Sequence, residues 1–526
     1  MNNIFVNQFV DRICFSYTAF DRVVCRGYIR SLFVEGAVVN LMRCLGFKSY
    51  SNEKMRILTD NLNRHIQSFA STLNVPILWW PKVNGGKNGA KQSYVEQHFL
   101  KRTKKILGNH VFCILADMER AKTFITKPIQ TKSGSFFQKI FKISKPVKHY
   151  YIYFNDESLG LCFLKICTYI PFQSEFYFNG HNALGVYFDK KNIAYRMKDN
   201  ALVEVQNPDL VNDCMRELDG KIVQDRINFW TKRFFRFRKG KYSTTSKYLQ
   251  HDWYVYQAEV CSNVIFKSAR FAAPMFDKII ASFSRFGLPD HLSEIFQRRR
   301  IPKETKTTRR LYDNKACLKS WILGNSIKLY NKIGYFYRVE TTINNPKKMS
   351  LKKPILYLQS YYWKGVEANN KYYSCLAQID CSTVTEIKKT TEMTSSPDVD
   401  LRKTRQVELM KELLKPKYAS SGFRIKHLKL TQFSNPAQIR YEMKKLRAKG
   451  WVEKKKKSSS YQVTLLGWKS MWVQISSVEG FKNPMTASLS SKRRKNSCTH
   501  SDEIDTAYKT LNQGLDQMAS ALQLIA

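Results

Sequence analysis

The stretch KHYYIYFNDESLGLCFLKICTYIPF, residues 148–172, leaves the chain little choice of local structure. Two runs of aromatic and β-branched residues, Tyr150 to Phe154 and Leu161 to Tyr169, flank Asn155-Asp156-Glu157-Ser158 and Gly160, all turn formers. The pattern predicts a β-hairpin that Pro171 ends. The same signal returns in HDWYVYQAEVCSNVIF from His251, and in SIKLYNKIGYFYRVETTI, Ser326 to Ile343, where two aromatic runs flank Lys332-Ile333-Gly334.

The first third reads differently. Strands are predicted over Arg22 to Leu32, Val75 to Trp80 and His110 to Ala116, with helical periodicity over Gly36 to Leu45, Asn52 to Leu73 and Ser93 to Leu107. Further helical patterns cover Gly180 to Phe188, Pro208 to Phe237, Ala272 to Phe286 and Leu288 to Gln297. The basic stretch RRRIPKETKTTRR reads as a loop. The fold class is therefore α/β (α+β), with mixed sheets in an N-terminal and a central part.

A chain of 526 residues exceeds what one hydrophobic core usually organises. The expected division is 1–145, an α/β N-terminal domain; 146–248, the hairpin plus helices; and 249–381, a strand-rich central domain. A Ser/Thr-rich linker, 382–400, precedes a module at 401–476. A basic linker, 477–501, then leads to an amphipathic helix, 502–526.

Lys and Arg total 88 against 42 Asp and Glu, a formal charge of +46. That is too large for solubility alone and implies a polyanionic partner, DNA or structured RNA first. No stretch approaches the roughly 18 to 20 apolar residues that span a bilayer. MNNIFVNQFVDR lacks the pattern of a signal peptide. The expected location is cytoplasmic, associated with the nucleoid. The 12 cysteines form no CxxC pair and have no clustered His partners, so they read as buried free thiols rather than zinc or redox sites.

Residues 401–476 carry the sharpest local pattern. Helices are predicted over Leu401 to Leu414 and around Arg424 to Thr431. Asn435-Pro436 then supplies an N-cap and a first-turn proline for AQIRYEMKKLRAKG, which Gly450 stops. Two strands follow, Trp451 to Lys455 and Tyr461 to Leu465. The run KLRAKGWVEKKKKSSSYQVTLLG resembles the winged helix-turn-helix family. The resemblance implies a third helix that enters a major groove and a wing along the backbone. Arg440, Lys444, Lys445, Arg447 and Lys449 on the helix, and Lys454, Lys455, Lys456 and Lys457 on the wing, are the candidate phosphate contacts. Protein docking is the alternative use of such a module. Beyond it, Ile504, Tyr508, Leu511, Leu515, Met518, Leu522 and Ile525 recur at spacings of four and three, a coiled-coil-like seam that predicts a homodimer or a helix packed back on the protein.

Nucleotide hydrolysis by a Walker-type loop is excluded, since no GxxxxGK[ST] occurs; HExxH, GxSxG and an HxH pair are also absent. A nuclease can instead hold Mg²⁺ or Mn²⁺ with acids that converge from separate strands. Glu340, Glu259 and Asp156 are the candidate ligands, the first two also candidate catalytic groups, with Tyr330 beside them as nucleophile or base-stacking ring. Each acid has a plainer reading. Asp156 is a natural turn former, and Glu340 shares a strand face with Arg338, so pairing there or with Lys328 or Lys332 would account for it. Arg338, with Arg233 and Arg236 of WTKRFFRFRKGKY, is also a candidate nucleic-acid contact.

The order FDRVVCRGYIR, KHYYIYFNDESLGLCFLKICTYIPF, WYVYQAEVCSNVIF and NSIKLYNKIGYFYRVETTINNP, closed by the winged helix, resembles a widespread family of uncharacterised bacterial proteins. That resemblance implies architecture rather than activity, and an Asp at the position of Asn263. KLYNKIGYFYRVET is similar to a strand-turn-strand element of plasmid and phage rolling-circle replication initiators, where a YxK strand precedes an R-x-E strand. The expectation is a nucleic-acid-binding protein of mobile-element type that performs metal-dependent DNA strand cleavage, replication initiation or transposition. The alternative is a non-catalytic RNA- or DNA-binding protein, a ribonucleoprotein component or a regulator.

Overall fold

The computed structural model describes residues 4–32, 34–83, 91–100, 108–198, 200–237, 249–286, 305–312, 315–377, 403–415, 418, 422–428, 430–455, 458–477, 510 and 513. The protein is mixed α+β and divides into two compact units, one of residues 9–273 and 302–370, the other of 1–8, 274–301 and 371–526. No helix among the described residues is long and apolar enough to cross a membrane.

One large sheet organises the first unit. Its strands are β1 (Ile13–Tyr28), β2 (Ile77–Trp79), β3 (His110–Gln130), β4 (Phe136–Asp156), β5 (Gly160–Cys167) and β6 (Ser174–Asn179), then β9 (Asp252–Phe266), β10 (Thr305–Tyr312), β11 (Lys315–Ile322), β12 (Asn325–Asn331) and β13 (Phe336–Ile343). A separate small ribbon joins β7 (Tyr195–Met197) to β8 (Leu202–Val205). The order across the large sheet is β10-β11-β12-β13-β9-β1-β6-β5-β4-β3-β2. Every pair is antiparallel except β2 with β3.

The sheet runs through the boundaries expected at 145/146 and 248/249: β4 itself spans the first, and β1 pairs with β9 across the second. The segments 1–145, 146–248 and 249–381 are thus parts of one sheet rather than three closed units. The predicted hairpin is β4 and β5, Tyr150 opposite Ile166 and Asp156 opposite Gly160. Gly160 has φ +70, the left-handed conformation that glycine adopts without penalty. Several readings change, β1 among them: it runs from Ile13 to Tyr28 rather than over Arg22 to Leu32, and Arg30–Leu32 form a single helical turn. RRRIPKETKTTRR contributes its second half to β10 instead of a loop. The strand expected over His110 to Ala116 extends to Gln130 and pairs with β4 all the way to Phe136.

Helices cover both faces of the sheet. On one, Gly365 of the Leu358–Ala377 helix lies so close to β9 that a Cβ there would sit 2.4 Å from the Val260 Cβ. Nearby, Asn369 Nδ2 donates to the Val260 carbonyl (2.9 Å) and Thr341 Oγ1 to Asn369 Oδ1 (2.7 Å). The Gly220–Phe234 helix stacks Trp230 on Phe154, ring centroids 3.8 Å apart. The described cysteines are free thiols, all buried except Cys14 and Cys44.

The second unit has its own core, which includes Leu409, Met443, Trp451, Trp468 and Met471. Its elements are the helices Thr404–Leu413, Pro436–Ala448 and Leu465–Ser477, and the hairpin of β14 (Val452–Lys454) and β15 (Tyr461–Val463). The Asn435 side chain caps the Pro436 helix by accepting from Ala437 N and Gln438 N, both at 3.0 Å. Gly450, φ +69, ends it, with Gly450 N donating to Arg447 O and Trp451 N to Leu446 O. The helix expected around Arg424 to Thr431 shrinks to a single turn, Ile425–His427. The coiled-coil-like segment save residues 510 and 513, linker 382–400, most of linker 477–501, and Lys456 and Lys457 lie outside the described residues.

Candidate functional site

Four neighbouring strands build a polar stripe on one face of the large sheet. Lys328 and Tyr330 of β12 lie opposite Glu340 and Arg338 of β13. Those two lie opposite Cys261 and Asn263 of β9, which in turn face Ala19 and Tyr17 of β1. Because side chains alternate along a strand, this register gathers all of them on the same side.

A bulge completes the stripe. The β1–β9 register jumps from Phe20 opposite Val260 to Val23 opposite Ala258, so Asp21 and Arg22 together oppose Glu259. Such a bulge bends a strand and re-aims its side chains. The outcome is that Asp21, Glu259 and Glu340 each offer a carboxylate oxygen, all within 4.8 Å of one another. No other trio of His, Cys, Asp and Glu side chains meets this closely among the described residues.

The bulge is held from β6 and the helix that follows it. Asn179 caps the Gly180–Lys190 helix by accepting from His181 N (2.8 Å) and donates Nδ2 to Asp21 Oδ1 (3.3 Å). Gly180 is required, since a Cβ there would stand 2.2 Å from the Phe20 carbonyl oxygen. His181, wholly buried, sits with Nδ1 3.7 Å from Asp21 Oδ1. Its Nε2 faces the Tyr17 hydroxyl (3.1 Å) and Arg338 Nη2 (3.4 Å). A guanidinium only donates, so Nε2 accepts and the ring proton belongs on Nδ1, toward Asp21. Burial lowers the His181 pKa, Asp21 opposes that, and the Arg338 charge adds to it. The imidazole is therefore neutral near pH 7.

Arg338 is the hub. It is 1% exposed, donates Nε to Asn263 Oδ1 (2.7 Å) and Nη2 to the Asn200 carbonyl (2.7 Å), and sets Nη1 3.3 Å from Asp21 Oδ2. Burial would raise the Asp21 carboxyl, but the nearby His181 ring and the Arg338 charge outweigh it and hold the group far below the usual carboxylate range. Asp21 is thus a permanent anion. A residue buried this way cannot touch a surface ligand, so the expectation that Arg338 contacts nucleic acid gives way to a role in positioning Asp21 and Asn263.

Glu340, also 1% exposed, receives the Tyr330 hydroxyl at 3.1 Å and has Lys328 Nζ 2.6 Å from Oε1. The cross-strand pairing with Lys328 that the sequence allowed is real. Lys332 instead donates to the Asn200 carbonyl at 3.3 Å. Glu259 is half-buried and accepts from Gln257 (2.6 Å); burial first, then the adjacent Glu340, push its pKa up to about 7 against the pull of Lys328 and Arg22. Three carboxylates face the part-buried Lys328 and the buried Arg338, with the solvent-exposed Arg22 beside them. Glu259 is the acid left without full compensation, and a divalent cation on the three oxygens would stabilise its charge. Burial raises the Tyr330 pKa well above its usual value, with Arg338 opposing and Glu340 reinforcing, so its hydroxyl is a proton donor.

Asp156 is not brought to this group. Wholly buried, it accepts from Ser158 N (2.8 Å), Leu159 N (2.9 Å), Arg226 Nε (2.8 Å) and Trp230 Nε1 (2.6 Å), which makes it the anchor of the β4–β5 turn on the Gly220–Phe234 helix. Its place is taken by Asp21, which sequence reading missed because the predicted strand began one residue later. The Asp-Arg pair at the head of an apolar strand was the available signal.

The remaining candidate contacts divide by exposure. Arg236 is exposed, whereas Arg233 is half-buried beside the rings of Phe69, Phe229 and Trp230. In the second unit Arg440, Lys444, Arg447 and Lys454 are exposed, and Lys449 and Lys455 half-buried. Lys445 is buried, its Nζ 3.0 Å from Glu442, which also holds Arg405 at 3.0 Å and Gln406 at 2.6 Å. Glu442 therefore ties the Pro436–Ala448 helix to the Thr404–Leu413 helix, Lys445 joins it within its own helix, and this ion network explains an acid among the cations. Comparison with protein-family models, with curated proteins and with solved structures finds no match for the chain.

Proposed function

We propose that the chain is a nucleic-acid-binding protein of mobile-element type that cleaves a DNA strand at the Asp21, Glu259 and Glu340 cluster, in replication initiation or transposition. The observation that carries this reading is the convergence of three acids from adjacent strands in a chain of net charge +46. Mg²⁺ or Mn²⁺ held there would draw a phosphodiester to the cluster and polarise it. Tyr330 would attack phosphorus to form a tyrosyl phosphodiester as the P–O bond to the departing strand's sugar oxygen breaks; Glu340, already its hydrogen-bond acceptor, would take the Tyr330 proton and give it to that departing oxygen. Lys328 must swing from Glu340 as the acid turns to the metal, and its side chain is 27% exposed and able to do so.

The second unit supplies recognition in this reading. We read the Thr404–Leu413, Pro436–Ala448 and Leu465–Ser477 helices and the β14–β15 hairpin as a winged helix; Arg440, Lys444 and Arg447 are exposed on the Pro436–Ala448 helix and Lys454 on the hairpin. The non-catalytic alternative draws on one observation: Lys328 already pairs with Glu340, so the cluster is partly neutralised from within.

The test is nicking of supercoiled DNA by the full-length protein with Mg²⁺ or Mn²⁺. Glu340→Gln is expected to abolish nicking and leave binding intact, and Tyr330→Phe to abolish the covalent protein–DNA adduct. Equal nicking by wild type and Glu340→Gln refutes the assignment; binding without any nicking leaves the non-catalytic reading.

A further inference from the structure

We infer that a single-stranded segment of the nucleic acid lies along β1 and β9, from a cationic, aromatic cleft at one end of these strands to the carboxylate cluster. The inference rests on the proposed function for the meaning of its end point, and on separate residues for its binding.

Beyond the bulge at Asp21 and Arg22, alternation places Arg22, Arg26 and Tyr28 on one face of β1. Arg22 is exposed and its guanidinium lies 5.8 Å from the Tyr177 ring centroid. A second irregularity follows. The register passes from Val24 opposite Gln257 to Cys25 opposite Val255, which leaves Tyr256 as the extra residue of β9. This bulge turns Tyr256 out: the ring is 39% exposed, with the Arg26 guanidinium 3.3 Å from its centroid. One step on, Tyr28 and Tyr254 meet edge to face at 5.8 Å, and Lys353 Nζ lies 5.5 Å from Tyr254. Tyr28, Tyr254 and Lys353 are also walls of a cleft of about 1360 Å³, to which Arg30, Lys232 and Arg236 add positive charge. Against these cations stand Glu175, paired with Arg26, and Asp252, paired with Arg30.

From Arg22 through Arg26 to Lys353 the path is net positive, with Glu175 as its paired acid. Asp21 to Tyr28 is seven steps along the strand, about 23 Å at roughly 3.3 Å per residue. The cleft is larger than the roughly 300 to 1,000 Å³ usual for a small-molecule site. One exposed ring, Tyr256, and two half-buried ones, Tyr28 and Tyr254, lie among cations, which suits an unpaired strand whose bases stack while its phosphates take the charges. A duplex hides its base faces and could use only the cations. The substrate of the carboxylate cluster is accordingly a strand already unpaired at the point of cleavage.

The experiment is fluorescence anisotropy with the full-length protein and EDTA, so that no cleavage occurs. The probes are labelled oligo(dT) and oligo(U) of about 12 nucleotides, within the usual range of single-strand sites, and a blunt duplex of equal length. Wild type is expected to hold one or both single strands more tightly than the duplex, and the tighter of the two identifies the sugar. Tyr256→Ala should weaken single-strand binding about five- to 150-fold, the worth of one stacked base, while Tyr256→Phe binds as wild type. Arg236→Ala with Lys353→Ala should lower the salt slope by about 0.7 per lost contact. Equal affinity for duplex and single strand, or unchanged binding by Tyr256→Ala, overturns the path even if nicking occurs. Tight, Tyr256-dependent binding without nicking in Mn²⁺ overturns the cleavage reading and leaves the path standing.

Discussion

Replacing Glu259 by Gln is expected to stabilise the protein at pH 8 when no divalent metal is present. The Glu259 carboxyl is pushed from 4.5 up to about 7 by burial and by Glu340. A folded state that holds the proton more tightly than the unfolded state loses stability as pH rises from about 4.5, and the loss levels off above about 7. At about 1.36 kcal/mol per pH unit the full penalty is roughly 3 kcal/mol, and the partial exposure of the side chain reduces it to about 1 to 3 kcal/mol. Gln keeps an oxygen for the Gln257 donor and removes the charge, so the penalty disappears. Thermal unfolding by circular dichroism from pH 5 to pH 8 tests this. The variant should melt close to wild type at pH 5 and above it at pH 8. Millimolar Mn²⁺ should reverse the order at pH 8, since binding at about 100 times Kd adds about 2.7 kcal/mol to wild type. A variant less stable than wild type at pH 8, or an equal Mn²⁺ shift in both, refutes the argument that Glu259 is the uncompensated acid of a metal site.

Arg338→Met should cost about 3 to 5 kcal/mol, because it removes the buried charge paired with Asp21, leaves Asn263 Oδ1 without its guanidinium donor and leaves the Asn200 carbonyl to Lys332; an unchanged melting temperature contradicts the hub role. Neutralising Arg440, Lys444 and Arg447 together should lower duplex affinity and reduce its salt slope by about 0.9 per lost phosphate contact, measured by anisotropy across a salt series, whereas an unchanged slope assigns that helix to protein docking.

The parts of the fold legible in advance were those whose signal is local. The β4–β5 hairpin, β9 and the β12–β13 hairpin follow from runs of aromatic and β-branched residues broken by turn formers, and the Pro436 helix from its cap, first-turn proline and Gly450 stop. The distal arms of β3 and β4 were not read, because Lys and Thr interrupt their apolar runs; the alternation there becomes meaningful only once Thr123 to Ile129 pair with Phe137 to Ile143. Glu340 and Glu259 stood out as acids inside strands. Their plainer explanation was partly correct, since Lys328 does pair with Glu340. Asp156 had the stronger turn signal and proved to be a turn anchor.

By itself the sequence determined the strong positive charge, the strand-rich character, the position of several turns and the identity of two acids. These depend on composition, on a period of two and on neighbours within a few residues. Tertiary structure alone decided which acids meet. Asp21 joins Glu259 and Glu340 because β1 pairs with β9 on one side and β6 on the other, and the two registers are reconciled by a bulge at Asp21 and Arg22. Arg338, which looked like a surface cation, is buried because β9, β13 and the Gly180–Lys190 helix close around it. Arg338 alone meets Asn263 and Asp21, 75 and 317 positions away, and no local pattern encodes a register between strands so distant.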